Sequence, residues 1–383
     1  MSLIAAARQV GPEVGQCSVA IEANRTLPSD VVALLAGAGL FKSFVPAHLG
    51  GAQAHALDGL AAIEEIAYHD GSAGWCLMIA ATTGLLGGFL PPEHAATIYA
   101  PPESITGGFA APMGRATLVD GGLRVTGRWQ WGSGSQHCTW LGGGCLVVDA
   151  SGAPAARPRD GLQAPFVLFE REQVELLDTW YVSGLRGTGS TDYQVTGAFV
   201  PEGRWVQIGF TEPTVDSPLY RFSFYGLLAL GIAAVASGLA RRSVDELVDL
   251  AGSKRPQGSA KTLSERAPIQ AEVAQAEAAQ RSSWAWLEQV VGETWDDLAA
   301  GRSLTDEARR LLRLAATNVT GQAAIAVDRM YTAGGGASVY DDSALQRLFR
   351  DVHVATQHAM VAPRTFELTG RMRLGLDTDT RQL

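Results

Sequence analysis

The segment at residues 127–137, GRWQWGSGSQH, holds residue types that could bind a flat ligand. Trp131 presents an aromatic face, Ser133 a hydroxyl, and the surrounding glycines let backbone N–H groups approach a ligand closely. This mixture suits a planar ring with hydrogen-bonding edges, such as a flavin. A glycine- and serine-rich hairpin with tryptophans in the core would explain the same residues.

Two further segments could hold a phosphate or the edge of a ring. In residues 184–191, GLRGTGST, the glycines allow close approach, and the hydroxyls of Thr188 and Ser190 can donate hydrogen bonds. Arg255, in the sequence SKRPQG between two helical stretches, could meet a pyrophosphate. A cluster of β-turns in the first case and a solvated loop in the second are the structural alternatives.

Two histidines lie near the carboxyl end of the chain, His353 and His358, and the second is a candidate for proton transfer. Their spacing of five places them about 140° apart around a helix, so they do not form a metal-binding pair on one face. His358 precedes an apolar run at 359–361 and could lie in a cavity with a pKa suited to acid–base chemistry. A structural histidine is the alternative, and no metal site is predicted.

The common catalytic motifs are absent from the sequence. It has no GxxxxGK[ST] phosphate loop, no GxGxxG after a strand, no GxSxG elbow, no HExxH and no SxxK. The four cysteines have no paired CxxC spacing, which argues against a zinc site and against a disulfide framework. A demanding reaction without this apparatus usually depends on a cofactor.

Composition and charge exclude several classes of protein. The chain has 383 residues, of which 18% are charged, and a net charge of −9 without a basic run, which argues against a disordered tail and against nucleic-acid binding. The opening residues lack the pattern of a signal peptide, and the most apolar stretch, 225–240, is shorter than the ~20 residues needed to span a bilayer. We therefore expect a cytoplasmic protein with no nucleic-acid or membrane partner.

Three regions of different composition must position these segments. Residues 1–103 are rich in alanine and leucine at helical spacing, whereas residues 104–216 alternate Val, Thr and Trp between glycine-rich turns, with a solvent loop or hairpin tip at 149–163. Residues 217–383 return to helices, which pack most simply as an antiparallel bundle. The long helices are expected at roughly 218–251, 263–299 and 304–332. Because they carry more apolar surface than one bundle can cover, we expect a homotetramer.

The sequence resembles the acyl-CoA dehydrogenase superfamily, and within it the two-component flavin monooxygenase branch of aromatic hydroxylases and dibenzothiophene- or indole-oxidising enzymes. The motifs that carry the resemblance span nearly the whole chain: FVPAHLGG at 44–51, IEEIAYHDGSAGW at 63–75, WGS at 131–133, RGTGS at 186–190 and LFRD at 348–351. The resemblance implies an α+β fold with an N-terminal α-helical domain, a central β-barrel-like domain and a C-terminal four-helix bundle. Such proteins are usually homotetramers with flavin bound between subunits.

One pair of positions distinguishes the branches of this superfamily. Dehydrogenases of this fold commonly carry a tyrosine and a catalytic glutamate eight and nine residues after the arginine of the LFRD motif. Counting from Arg350, those positions hold His358 and Ala359. Alanine cannot remove a proton, and a histidine here is what the monooxygenase branch shows. A dehydrogenase with its base elsewhere, for which Glu64 and Glu65 offer carboxylates, and a flavin-binding homologue without turnover are the alternatives.

The resemblance also implies a chemistry. In the monooxygenase branch, reduced FMN or FAD arrives from a separate flavin reductase and reacts with O2 to give a C4a-hydroperoxide, which oxygenates a small aromatic or heteroaromatic substrate. The residues that the resemblance assigns to catalysis are Ser133 and His358. Those that it assigns to flavin binding are Trp131, Ser133, Arg186, Thr188, Ser190 and Arg255.

The substrate pocket departs from the pattern of the branch. Several of its hydroxylases carry a histidine eight residues beyond the tryptophan of the GSAGW motif, where this chain has Thr83. We expect Trp75 and Thr83 to contact the substrate. The loss of that histidine favours an indole, another heteroaromatic or an amine over a simple phenol.

Overall fold

The amino-terminal part of the chain is helical, as its composition predicts. The computed structural model describes residues 2–149, 151–154, 161–380 and 383, so much of the loop predicted at 149–163 lies outside the described residues. The helices are α1 (Leu3–Gln16), α2 (Ser18–Asn24), α3 (Ser29–Gly37), α4 (Ala56–His69), α5 (Gly71–Gly84) and α6 (Pro92–Tyr99). Helix α5 begins directly after α4 because Asp70 takes an extended backbone, and its carboxylate accepts from the amide of Ala73 (2.9 Å).

Seven strands in the described part of the chain form one mixed sheet. They are β1 (Thr106–Val119), β2 (Gly122–Gly132), β3 (Trp140–Val148), β4 (Phe166–Glu170), β5 (Glu175–Leu177), β6 (Thr191–Pro201) and β7 (Trp205–Val206). Their order is β5-β6-β2-β1-β3-β4-β7, in which β1 and β3 are parallel and the other neighbouring pairs antiparallel. Because β2 and β6 are antiparallel, the carboxyl end of β2 lies beside the amino end of β6, where Gly132 pairs with Thr191.

Long helices return after the sheet. They are α7 (Pro218–Arg221), α8 (Phe224–Ser253), α9 (Ala267–Ala299), α10 (Asp306–Gly334), α11 (Ala344–Ala355) and α12 (Arg364–Arg373). The helix predicted at 218–251 is divided, because Ser223 caps α8 by accepting from the amide of Gly226 (3.0 Å). By length and composition α8 could cross a bilayer, but 78% of its most apolar window is buried inside the protein. It is therefore a core helix of the bundle.

A common apolar core joins the helices to the sheet. It includes the fully buried side chains of Leu77 in α5, Leu141 in β3 and Leu239 in α8. The domain divisions predicted after residues 103 and 216 fall in the connections between α6 and β1 and between β7 and α7. Because one core crosses both connections, the assignment of three domains stays a prediction. Helices that precede and follow a mixed sheet along the chain confirm the α+β fold.

Candidate active site

Four buried side chains from three separate elements form a chain of hydrogen bonds. The indole Nε1 of Trp75, on α5, donates to the hydroxyl of Ser133, in the turn after β2 (3.0 Å). The Ser133 hydroxyl lies 2.6 Å from that of Ser190, which lies 2.7 Å from that of Thr188, both in the turn before β6. The pairing of β2 with β6 therefore brings the first two segments singled out in the sequence into direct contact.

The bond between Thr188 and the backbone at one end of this chain determines its direction. The Thr188 hydroxyl lies 2.8 Å from the carbonyl oxygen of Leu185, which can only accept, so Thr188 donates there. Each hydroxyl has one proton, so Ser190 must donate to Thr188, and Ser133 must donate to Ser190. Ser133 already accepts from Trp75 and keeps one free lone pair. It can therefore accept one more hydrogen bond but cannot donate one.

An exposed aromatic face lies beside Ser133. Trp131 is 53% exposed, and its ring centroid lies 5.4 Å from that of Phe109 on β1. The backbone of Trp131 is left-handed, with φ of +57°, and its carbonyl accepts from the amide of Ser133 (2.8 Å). A bulky residue in this conformation is strained, and such strain concentrates at functional turns. The turn thus presents a large apolar ring to solvent directly beside a buried polar group.

Polar atoms without protein partners surround the same turns and fit a flavin. Among the described residues, the buried Nε of Arg186, the hydroxyl of Ser135 and Nδ1 of His137 have no hydrogen-bond partner. Buried polar groups are normally satisfied, so three orphans near one aromatic face indicate a missing polar ligand. Arg186 could hold an anionic group of a flavin, and Trp131 could cover one side of its ring. The residues present therefore fit the cofactor that the sequence predicts.

His358 lies against Trp75, with ring centroids 5.8 Å apart, but not on the helix that the sequence predicts for it. Helix α11 ends at Ala355, so the angle of about 140° between His353 and His358 does not apply. His353 instead pairs with Asp328 (2.8 Å), partly exposed to solvent. The two histidines are thus separated by the end of a helix, and of the two it is His358 that contacts Trp75.

The surroundings of His358 determine its protonation. Burial and the nearby charge of Arg313 lower the pKa of His358 to about 4, so the imidazole is neutral at pH 7. Its Nδ1 accepts from the amide of Met360 (3.2 Å), which places the remaining proton on Nε2. His358 is therefore a neutral hydrogen-bond donor rather than a ready proton acceptor.

Thr83 connects two structural elements. Its hydroxyl bonds to the side chain (2.8 Å) and carbonyl oxygen (2.9 Å) of Thr106 at the start of β1. Its own carbonyl accepts from the hydroxyl of Tyr99 (2.8 Å). Trp75 and Thr83 are eight residues apart on α5 and share a helix face. The hydroxyl of Thr83 is thus used in hydrogen bonds that connect α5 to the sheet, and its contact with substrate stays a prediction.

Arg255 is not brought to the hydroxyl chain of this subunit. It follows α8, is exposed, and donates to the carbonyl of Ala260 (2.7 Å). Leu239 of α8 contacts Gly71 at the start of α5, and the end of α8 that carries Arg255 lies roughly 20 Å further along the helix axis. A cleft of about 950 Å³ adjoins the loop, lined in part by Lys254 and Arg266. The phosphate role of Arg255 stays a prediction.

The carboxylates named for the dehydrogenase alternative are part of a structural ion network. Arg241 of α8 bonds to Glu64 and Glu65 of α4, each at 2.9 Å. Burial raises the pKa of Glu64, whereas hydrogen bonding with His69 lowers that of Glu65. Both side chains face the joint between α4 and α8, so neither is placed as a base for a substrate.

Sequence reasoning missed two buried carboxylates behind the site. Asp351 accepts from the backbone amide of Leu185 (2.5 Å), and Asp70 caps α5. Both belong to motifs that the sequence analysis quoted, HDGSAGW and LFRD. An aspartate directly before a predicted helix is a recognisable capping signal, which would have identified Asp70. The contact of Asp351 joins residues 166 positions apart and has no local signal.

Comparison with known proteins agrees with this geometry. Residues 5–90 match the N-terminal domain of acyl-CoA dehydrogenases, and residues 230–363 match the C-terminal domain. Indole-3-acetate monooxygenase of Pseudomonas putida is 31% identical over 92% of this chain and 88% of its own. The flavin-dependent monooxygenase oxygenase subunit HsaA of Mycobacterium tuberculosis is 29% identical over 98% of this chain and 96% of its own.

A solved structure extends the likeness to the whole fold. The 3-HSA hydroxylase from Rhodococcus sp. RHA1 superposes with a TM-score of 0.92 at 25% identity, covering 100% of this chain and 99% of the other. Sequence and fold thus agree over nearly the full length of the molecule. The chain belongs to the flavin-dependent monooxygenase branch of the acyl-CoA dehydrogenase superfamily.

Proposed function

We propose that this protein is the oxygenase component of a two-component system, acting on a small aromatic or heteroaromatic substrate. A separate flavin reductase supplies reduced FMN or FAD. One atom of O2 enters the substrate and the other leaves as water, with the two electrons supplied by the flavin. The observation that carries the proposal is the directed hydroxyl chain, which leaves Ser133 as an acceptor beside the exposed face of Trp131.

The direction of the chain supports a reduced flavin. Position N5 of a reduced isoalloxazine carries an N–H donor, whereas N5 of the oxidised ring is an acceptor. Ser133 has a lone pair to offer but no free proton, so it complements the reduced ring and leaves the oxidised ring without a partner.

His358 supports oxygen transfer rather than proton abstraction. When bound here, a reduced flavin would supply the two electrons that activate O2, and the transferred oxygen atom would come from O2. The Nε2–H of His358 can donate to the substrate or to the oxygen being transferred, and Trp75 lies between His358 and Ser133 as a packed aromatic wall. Trp75 and Ser133 are buried, and exclusion of water around them would limit the diversion of turnover to hydrogen peroxide.

The substrate and partners are supported by the relatives. One relative is named for indole-3-acetate and another is named an oxygenase subunit, which supports a heteroaromatic substrate and a reductase partner for this chain. Exposed apolar side chains near the carboxyl end, Phe366, Leu374 and Leu376, support assembly into a homotetramer. The burial of α8 in the bundle supports the further proposal that the protein is cytoplasmic.

The proposal is tested by binding and turnover with the purified protein. Titration with reduced FMN or FAD in the absence of O2 should give tighter binding than titration with the oxidised form. Admission of O2 in the presence of indole-3-acetate or related aromatics should yield an oxygenated product. A tightly bound oxidised flavin together with oxidation of an acyl-CoA would refute the proposal, and Ala359→Glu should then increase that oxidation.

A further inference from the structure

We propose that Asp351 is a positioning residue for Ser133, acting through the backbone of Leu185 to set the direction of the hydroxyl chain. The inference rests on the proposed function, because it assigns a role to a residue that touches neither flavin nor substrate. Asp351 lies on α11, behind the turn that carries Thr188 and Ser190.

The contact between Asp351 and Leu185 is built into the packing. Oδ1 of Asp351 accepts from the amide of Leu185 at 2.5 Å, and both residues are buried. Leu185 is left-handed, with φ of +49°, which is unfavourable for a branched side chain. A Cβ on Gly184 would collide with the carbonyl of Arg350, so the turn lies flat on α11. The hydrogen bond from Asp351 therefore holds a strained residue in place.

The carbonyl of the same residue ends the hydroxyl chain. It accepts from Thr188, and this bond alone forces Ser190 and Ser133 to donate in the same direction. The N–H bound by Asp351 and the carbonyl that accepts from Thr188 lie in the two peptides on either side of Leu185, so Asp351 acts on the carbonyl through the backbone conformation of Leu185. If that conformation changed and the carbonyl turned away, Thr188 could donate to Ser190, and the chain could reverse. Ser133 would then be able to donate and would no longer be restricted to accepting. The function of Ser133 thus depends on an amide that Asp351 holds.

A second carboxylate holds the other end of the chain. Asp70 caps α5, whose first turns carry Trp75, the donor to Ser133. Gly71 lies between the two carboxylates, since a Cβ on it would be 3.5 Å from Oδ2 of Asp351. Both carboxylates line a cavity of about 320 Å³. The donor and the acceptor that orient the hydroxyls are therefore anchored at one place.

The charges around this cavity make the hydrogen bond between Asp351 and the amide of Leu185 sensitive to pH. Arg347 of α11, His69 of α4 and Arg242 of α8 line the cavity, and Arg242 is paired with Glu246. On α11, Arg350 is paired with Glu22 of α2 (2.6 Å). Burial, together with the nearby Asp70, raises the pKa of Asp351 to about 7. An ionised carboxylate accepts more strongly than a protonated one, so the hold on Leu185 should strengthen as the pH rises through about 7.

The test compares Asp351→Asn, which keeps an acceptor but cannot ionise, with Asp351→Leu, which has none. Asp245→Asn is the matched control, because that carboxylate accepts from Tyr68 (2.8 Å) and does not line the cavity. The first readout is product formed per reduced flavin oxidised, measured between about pH 6 and pH 8. The second is the fluorine NMR signal of Trp75 in fluorotryptophan-labelled protein, assigned by its loss in Trp75→Phe.

We expect Asp351→Leu to lower the coupling, meaning product formed per reduced flavin oxidised, about fivefold or more and to shift the fluorine signal of Trp75. Asp351→Asn should keep coupling within about twofold of wild type but lose the rise near pH 7, and Asp245→Asn should behave as wild type. Wild-type coupling and an unshifted signal in a folded Asp351→Leu protein would overturn the inference. If that variant does not fold, an undiminished pH step in Asp351→Asn would overturn it. Absence of product from wild type would refute the proposed function, whereas the NMR comparison would still decide the role of Asp351.

Discussion

Replacing Ser133 with alanine removes a hydroxyl that is only 5% exposed and is bonded on two sides. The indole of Trp75 loses its acceptor, and Ser190 loses its donor. Because Trp75 is itself only 7% exposed, its N–H stays buried without a partner. An unsatisfied buried donor costs about 1–3 kcal/mol, so we expect the free energy of unfolding to fall by about 2 kcal/mol.

A double-mutant cycle separates this cost from other effects of the substitution. In a Trp75→Phe background the orphaned N–H is absent, so Ser133→Ala should cost about 1 kcal/mol or less. The coupling energy between the two positions should therefore be about 1–2 kcal/mol. The assay is urea unfolding of the four proteins at one protomer concentration, followed by circular dichroism.

The chain offers a matched control two residues away. Ser135 is completely buried, and its hydroxyl has no hydrogen-bond partner among the described residues. Ser135→Ala should therefore leave the free energy of unfolding unchanged or raise it. Equal losses for Ser133→Ala and Ser135→Ala, or a Ser133→Ala cost independent of the residue at 75, would refute the hydrogen-bonded chain. In turnover, Ser133→Ala should divert reduced flavin toward hydrogen peroxide. An unchanged yield of product per reduced flavin oxidised would contradict the catalytic role of Ser133.

Three further outcomes are expected. His358→Ala should lower product formation by roughly 10²-fold with little change in reduced-flavin binding, whereas His353→Asn should stay near wild type. Because the pKa of His358 is about 4, its protonation should not lower wild-type turnover as the pH falls from about 8 to about 5. Arg241→Met should lower the free energy of unfolding by about 3 kcal/mol in urea, because it leaves Glu64 buried without its cation. Burial raises the pKa of Asp351 from 3.8 to about 7, so the protonated side chain favours the folded state. This contribution is full below about pH 4, is lost as the pH rises from about 4 to about 7, and should appear in urea unfolding at a series of pH values in wild type but not in Asp351→Asn.

The helical regions and the sheet could be predicted from local pattern. Apolar residues at helical spacing, capping residues such as Ser223 and alternating strands between glycine turns act over a few neighbouring positions. The helix predicted through His358 was wrong for a local reason. The hydroxyl of Thr356 donates to the carbonyl of His353 (2.7 Å), which offers the backbone an alternative to further helical bonding.

The candidate site could be predicted as residue types but not as an arrangement. Aromatic, hydroxyl and glycine patterns are enough to select Trp131, Ser133, Thr188 and Ser190 from the sequence. Whether their hydroxyls touch depends on the pairing of β2 with β6, because Ser133 and Ser190 are 57 residues apart. Short-range periodicity carries no information about such a pairing.

The direction of the hydroxyl chain depends on the tertiary structure alone. A proton can be assigned to each hydroxyl only when the last acceptor, the Leu185 carbonyl, is known, and the amide N–H of that same residue is bound by a carboxylate 166 residues away. The same holds for the neutral state of His358, which results from burial and from the charge of Arg313 on helix α10. Residue types set which hydrogen bonds are possible, and the packing of distant elements selects the ones that form.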